Sequence, residues 1–187
     1  MILLISNTCL FIYKCDINEI EWQIKSLDKS VIEIYKRNWK NECMNFRIDS
    51  KLKLFCEIKD NFEMADYIKV LRNHKHRSAM TKIRMSAHKY PIETGRYQNT
   101  KREDRYCPLC CIDIGNEEHY LFDCPHPFIE RVRAPLESRL QIFNPSLNSM
   151  NNQDKMKLLL NNSNKETVEL FSKLCFKLQE AFQELTY

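Results

Sequence analysis

The stretch Cys107-Pro-Leu-Cys110-Cys111-Ile-Asp-Ile-Gly115-Asn-Glu-Glu-His119-Tyr-Leu-Phe-Asp-Cys124-Pro125 decides how the chain is read. Its spacing, C-x2-C-x8-H-x4-C, places four thiol and imidazole donors in one short segment. Zinc takes four such ligands tetrahedrally, and structural sites leave no position open. The C-x2-C pair predicts a tight turn with both sulfurs aimed inward. Gly115 lies midway between the ligand pairs, where the chain must reverse, and a positive φ is expected there. Pro125 disfavours the α region at Cys124, so a helix entered near Glu117 should end there. Only by leaving the helix can Cys124 converge with His119, five residues earlier. Cys107, Cys110, His119 and Cys124 are therefore the candidate metal ligands and zinc the candidate cofactor. Cys111 beside Cys110, and His126 beyond Cys124, are chemically equivalent substitutes.

Outward from this segment, the totals favour a mainly α fold, with helical segments flanking a small Cys/His zinc-knuckle-like module. Two glycines and six prolines in 187 residues leave little turn chemistry for a many-stranded sheet. The 43% hydrophobic fraction supports a packed core. Nine cysteines, an odd number without framework spacing, read as reduced thiols in an intracellular setting. Charge is unevenly placed. Residues 69–105 hold eleven Lys/Arg against three acids, a net +8, which leaves −4 elsewhere from the total of +4. Basic charge just ahead of a metal candidate points to phosphate. Arg72, Lys75, Arg77, Lys82, Arg84, Lys89, Arg96, Arg102 and Arg105 are the candidate nucleic-acid contacts.

Four regions follow. Residues 1–18 are apolar but too short to span a bilayer, and no membrane association is expected. The 19–100 region is helical and contains most of the basic stretch. Asn18 with Glu21 has the form of a capping box, and Ile20, Ile24, Leu27, Val31 and Ile34 recur at helical steps as a core-facing stripe. Leu52, Phe55, Ile58 and Phe62 share a second face, and Met64, Ile68 and Leu71 a third. A helix over 74–88 is expected to be capped by Ser78 and ended by Pro91, with Gly95 and Arg96 opening a polar connector. His74, His76 and His88 read as surface residues, not ligands. The metal module occupies 101–127, and a C-terminal helical region 128–187. There a helix over Phe128–Leu140 is bent or split at Pro135. A capping box at Ser163 and Glu166 introduces the stripe Val168, Phe171, Leu174, Leu178, Phe182 and Leu185. No heptad run is long enough for a coiled-coil rod.

The passage from Arg77 to Tyr97, followed by Arg105-Tyr-Cys-Pro-Leu-Cys110 and Glu117-Glu-His-Tyr-Leu-Phe-Asp-Cys124, resembles the C-terminal region of LINE-type (non-LTR) retrotransposon reverse transcriptases. The likeness is specific in the cysteine segment and in Ser86-Ala-His88 to Gly95-Arg96, and looser elsewhere. It implies zinc at Cys107, Cys110, His119 and Cys124, RNA or DNA as partner, and a polymerase domain upstream in a parent polyprotein. The chain has no Tyr-x-Asp-Asp motif and no clustered acids of the nuclease type. The expectation is a noncatalytic, zinc-stabilised nucleic-acid-binding module, a fragment or remnant of such a polyprotein. Tyr97, Tyr106 and Tyr120 would either stack on unpaired bases or pack on the zinc loop. The alternative is a zinc-stabilised protein-interaction module. Enzymatic activity is the least supported class, since four protein ligands leave zinc no place for water.

Overall fold

The computed structural model describes residues 17–44, 51–59, 61 and 63–186, and the apolar N-terminal segment expected at 1–18 lies almost wholly outside them. The chain divides into two compact units, Met1–Asn45 and Phe46–Tyr187. Secondary structure among the described residues is helical, apart from a single antiparallel bridge between Tyr106 and Ile114.

In the first unit, α1 (Ile17–Met44) runs for 28 residues. It begins one residue before the expected cap at Asn18, whose side chain is outside the description. The stripe along it is not core-facing: Ile24, Leu27, Val31 and Ile34 are 54%, 64%, 48% and 48% exposed.

The second unit contains α2 (Lys53–Ile58), α3 (Asp66–Val70), α4 (His74–Arg84), α5 (Pro91–Tyr97), α6 (Pro127–Phe143), α7 (Asn152–Leu160) and α8 (Lys165–Thr186). Its centre is α8, against which α4 and α6 pack most extensively. The expected stripe on α8 is buried from Val168 through Phe182, whereas Leu185 emerges at the last turn. Asn164, not Ser163, caps it, accepting from the Thr167 amide at 3.0 Å. An Asn side chain reaches the third amide as readily as Ser, so the cap falls where the chain enters the helix.

Several boundaries differ from those expected. Asn73 caps α4, its Oδ1 accepting from the Lys75 and His76 amides at 3.0 and 3.3 Å, and Ser78 lies inside the helix. The helix ends at Arg84, and Ser86 takes a φ of 46°. Pro91 starts α5 instead of ending α4, and the supposed connector at Gly95-Arg96 is helical. Proline fits a first helical turn because its missing N–H would have had no intrahelical partner there. Pro135 does not split α6: it stands exposed beside exposed Arg131, whose carbonyl loses its helical donor where water can supply one. In and just beyond α3 the buried pair is Tyr67 with Leu71, which follows the helix, while Ile68 and the preceding Met64 are exposed. Ile58 of α2 is buried, and Phe62 lies outside the described residues.

Candidate metal centre

The chain enters the knuckle through Arg105, whose carbonyl accepts from Gly115 N–H at 2.9 Å. Cys107 N–H donates to Asp113 O at 2.8 Å, and Cys111 N–H closes the cysteine turn onto Cys107 O at 2.9 Å. That closure forces the left-handed conformation onto Cys111, at φ 57°, whereas Gly115 has no positive φ. Glycine is needed at 115 for space. A Cβ there would lie 2.8 Å from Pro91 Cγ and 3.2 Å from Cys107 Cα. Gly115 O in turn accepts from Ile92 N–H at 3.1 Å, so α5 and the knuckle meet backbone to backbone.

The second half of the site begins at Asn116, whose Oδ1 accepts from His119 N–H at 2.8 Å. The helix entered at Glu117 widens into a π turn over His119–Asp123, and Cys124 leaves it with ψ 117°. Cys124 N–H donates to His119 O at 2.7 Å, a five-residue closure that carries both side chains to one side. Their expected convergence is thus achieved by the π turn together with the exit at Cys124.

The ligand atoms of Cys107, Cys110, His119 and Cys124 all lie within 4.8 Å of one another, an arrangement that could hold a metal ion such as zinc. Sulfurs bound tetrahedrally to zinc at about 2.3 Å would sit roughly 3.8 Å apart. Cys110 Sγ and His119 Nε2 approach to 3.3 Å. Cys111 is exposed and outside the cluster, and His126, half-buried, is outside it too. Each sulfur in the cluster receives a donor: Tyr120 O–H reaches Cys107 Sγ at 3.1 Å, the Ile112 and Asp113 amides face Cys110, and the His126 amide faces Cys124. Such donors favour thiolate, the form that binds metal. Burial raises the Cys110 pKa, but the Ile112 and Asp113 amides together with hydrogen bonds to the Cys107 and Cys124 thiols outweigh it and bring the thiol below its usual value. Burial, followed by the nearby Cys107 and Cys110 sulfurs, pushes Cys124 up to about 12. Three crowded thiols resist ionising together unless a cation offsets their charge. Burial lowers the His119 pKa, keeping the imidazole in its neutral, ligating form.

A buried polar group underpins the knuckle. Glu117 Oε1 accepts from Ser86 Oγ at 2.9 Å and pairs with His88 Nε2 at 2.8 Å, while Tyr90 N–H donates to His88 Nδ1. With Nδ1 accepting, Nε2 carries the proton that Glu117 receives. Burial raises the Glu117 pKa, but its interaction with His88 and the hydrogen bonds from its own amide and from Ser86 reverse this and hold it below the usual carboxylate range. His88 is accordingly a buried structural group and not a surface one. Tyr120 is also buried, tilted against Tyr90 and edge-on to Phe182 with ring centroids at 4.3 and 5.1 Å, and has no free face for a base. Tyr97 and Tyr106 remain exposed.

The cations expected to contact nucleic acid separate into two groups. Arg84 is 3% exposed and donates to Leu160 O and to Asn161 Oδ1, tying the end of α4 to the end of α7. Arg105 donates to Ile92 O at 2.8 Å and to Thr100 O at 2.8 and 3.0 Å, lying across Gly95. Arg96 Nε is shared between both Glu93 oxygens at 3.1 Å. These three cations are thus engaged within the fold: Arg84 between α4 and α7, Arg96 within α5, and Arg105 between α5 and the knuckle. Arg72, Lys75, Lys82 and Lys89 are exposed, and Arg77 and Arg102 half-buried. Sequence patterning could not separate the groups, because a lone Arg on a basic helix looks alike whether it meets water or a carbonyl.

Among the described residues no helix is long and apolar enough to cross a membrane. No family model, curated protein or solved structure matches the chain.

Proposed function

We propose that the chain is a noncatalytic nucleic-acid-binding module stabilised by one structural zinc ion, related to the C-terminal region of LINE-type reverse transcriptases. The observation that carries this reading is the convergence of three sulfurs and one imidazole within 4.8 Å, each sulfur facing a hydrogen-bond donor. Cys107, Cys110, His119 and Cys124 would hold the ion, which supplies cross-linking of the two halves of the knuckle. The chain's own residues then present the binding surface. Lys75 and Lys82 stand one above the other on α4, seven residues apart, beside a groove of ≈ 380 Å³ shared with Phe176 and Gln179 of α8. Arg72 precedes them at the helix entry, and Tyr97 offers a ring 80% exposed. Such a surface tracks phosphates without reading sequence.

Replacing Lys75 and Lys82 with Ala should weaken binding to RNA or DNA and reduce the salt slope of log K by about one per lost phosphate contact. Zinc content should not change. Fluorescence anisotropy across a salt series, with metal analysis of the same sample, checks both. An unchanged slope would remove these lysines from the interface. The exposed stripe of α1 favours a second reading, a protein-interaction module, in which ionic strength would have little effect on partner binding.

A further inference from the structure

The sulfurs of the cluster differ in where their donors come from. Apart from the bonds the sulfurs make with one another, Cys110 faces the Ile112 and Asp113 amides and Cys124 the His126 amide. Those donors are backbone groups of the next two or three residues, supplied by the turn itself. Cys107 also receives a side chain, the Tyr120 phenol, from thirteen residues further along. This bond crosses from the second half of the knuckle to the first. Cys107 and Tyr120 are both fully buried, so water has no access to replace the hydroxyl. The ring that carries it is held by Tyr90 and by Phe182 of α8, which keeps the oxygen aimed at the sulfur.

A phenol is protonated at neutral pH and a metal-bound thiolate is an acceptor, so the bond is strongest when the metal is in place. Outer partners of this kind orient a ligand and set how tightly the metal is held. We propose that Tyr120 is a positioning residue for the metal, its hydroxyl holding Cys107 Sγ in the ligating position, a role that rests on the reading of the cluster as a zinc site. Zinc affinity then depends on aromatic packing between the knuckle and α8. Tyr90 provides the comparison within the same molecule. Its ring lies 4.3 Å from that of Tyr120, yet its buried hydroxyl finds no partner among the described residues.

The test sets Tyr120→Phe beside Tyr90→Phe in the full chain, each removing one buried oxygen and keeping the ring. Tyr120→Phe should lower zinc affinity about 10–100-fold in competition with a chromogenic chelator, and Tyr90→Phe should leave it unchanged. With cobalt in place of zinc, Tyr120→Phe should move the thiolate-to-cobalt charge-transfer band to longer wavelength. A sulfur that loses a hydrogen bond gives up its electron more readily, and Tyr90→Phe should not move the band. Unchanged affinity in Tyr120→Phe, or an equal loss in both variants, would overturn the proposal and leave the zinc site standing. Weaker binding with an unmoved band would overturn it too, because the packing and not the hydroxyl would have been disturbed. An unaltered chain that bound neither metal would overturn the zinc reading and this role together.

Discussion

Serine at Cys110 should strip the metal from the chain, whereas serine at Cys111 should leave it bound. The two residues are adjacent, but only Cys110 joins the cluster with Cys107, His119 and Cys124. A structural zinc contributes an apparent binding free energy of about 10–16 kcal/mol in small zinc modules, and that energy is folding free energy. A hydroxyl at 110 loses the thiolate on which the Ile112 and Asp113 amides converge. The consequence should not stay local. Tyr120 and Leu121 belong to the core that also contains Tyr90, Ile129 and Phe182, so the knuckle shares its apolar packing with α6 and α8. Cys110→Ser, or chelation, should therefore lower the thermal midpoint of the whole second unit. Competition with a chromogenic chelator and a melt of both variants check this. Equal metal loss from both would remove the basis for choosing Cys110.

Arg84→Ala should destabilise the second unit by about 2–4 kcal/mol, the range for breaking a buried hydrogen-bond network. The guanidinium is buried without a carboxylate partner among the described residues, and burial lowers its pKa. Its hydrogens satisfy Leu160 O at the end of α7 and Asn161 Oδ1, while Asn161 Nδ2 donates to Ile58 O. Truncation would strand these groups and open a void beside Tyr67, over whose ring the guanidinium lies at 5.3 Å. Lysine should not rescue it, since one ammonium cannot reproduce the planar fork. Urea unfolding measures the cost. Loss of nucleic-acid affinity at unchanged stability would instead make Arg84 a phosphate contact.

What could be read before the structure is the part written in spacing. The donor pattern from Cys107 to Cys124, the exit at Pro125 and the α8 stripe all express local periodicity or local backbone rules. Other features depend on neighbours remote in sequence. Gly115 looks like a turn glycine until Pro91 is seen against it, and Tyr120 looks like a stacking platform until Phe182 closes over it. Arg84 and Arg105 count toward basic charge in any sequence window, yet their donors end on carbonyls from 5 to 76 residues away. Ser86 and His88 read as part of a helix over 74–88 and Gly95 as the start of a polar connector, but Ser86 and His88 are buried against Glu117, and Gly95 lies under the Arg105 side chain. Amphipathic periodicity on α1 reads as a core-facing stripe, yet Ile24, Leu27, Val31 and Ile34 are exposed, because period alone does not place a helix against a core.

The central claim is that three cysteines and one histidine form a structural zinc site. Native mass spectrometry of the reduced, purified chain at neutral pH tests it most directly. One zinc per chain, lost together with Cys107→Ser or Cys124→Ser, is the result the account predicts. A chain that is folded, reduced and free of metal would contradict it.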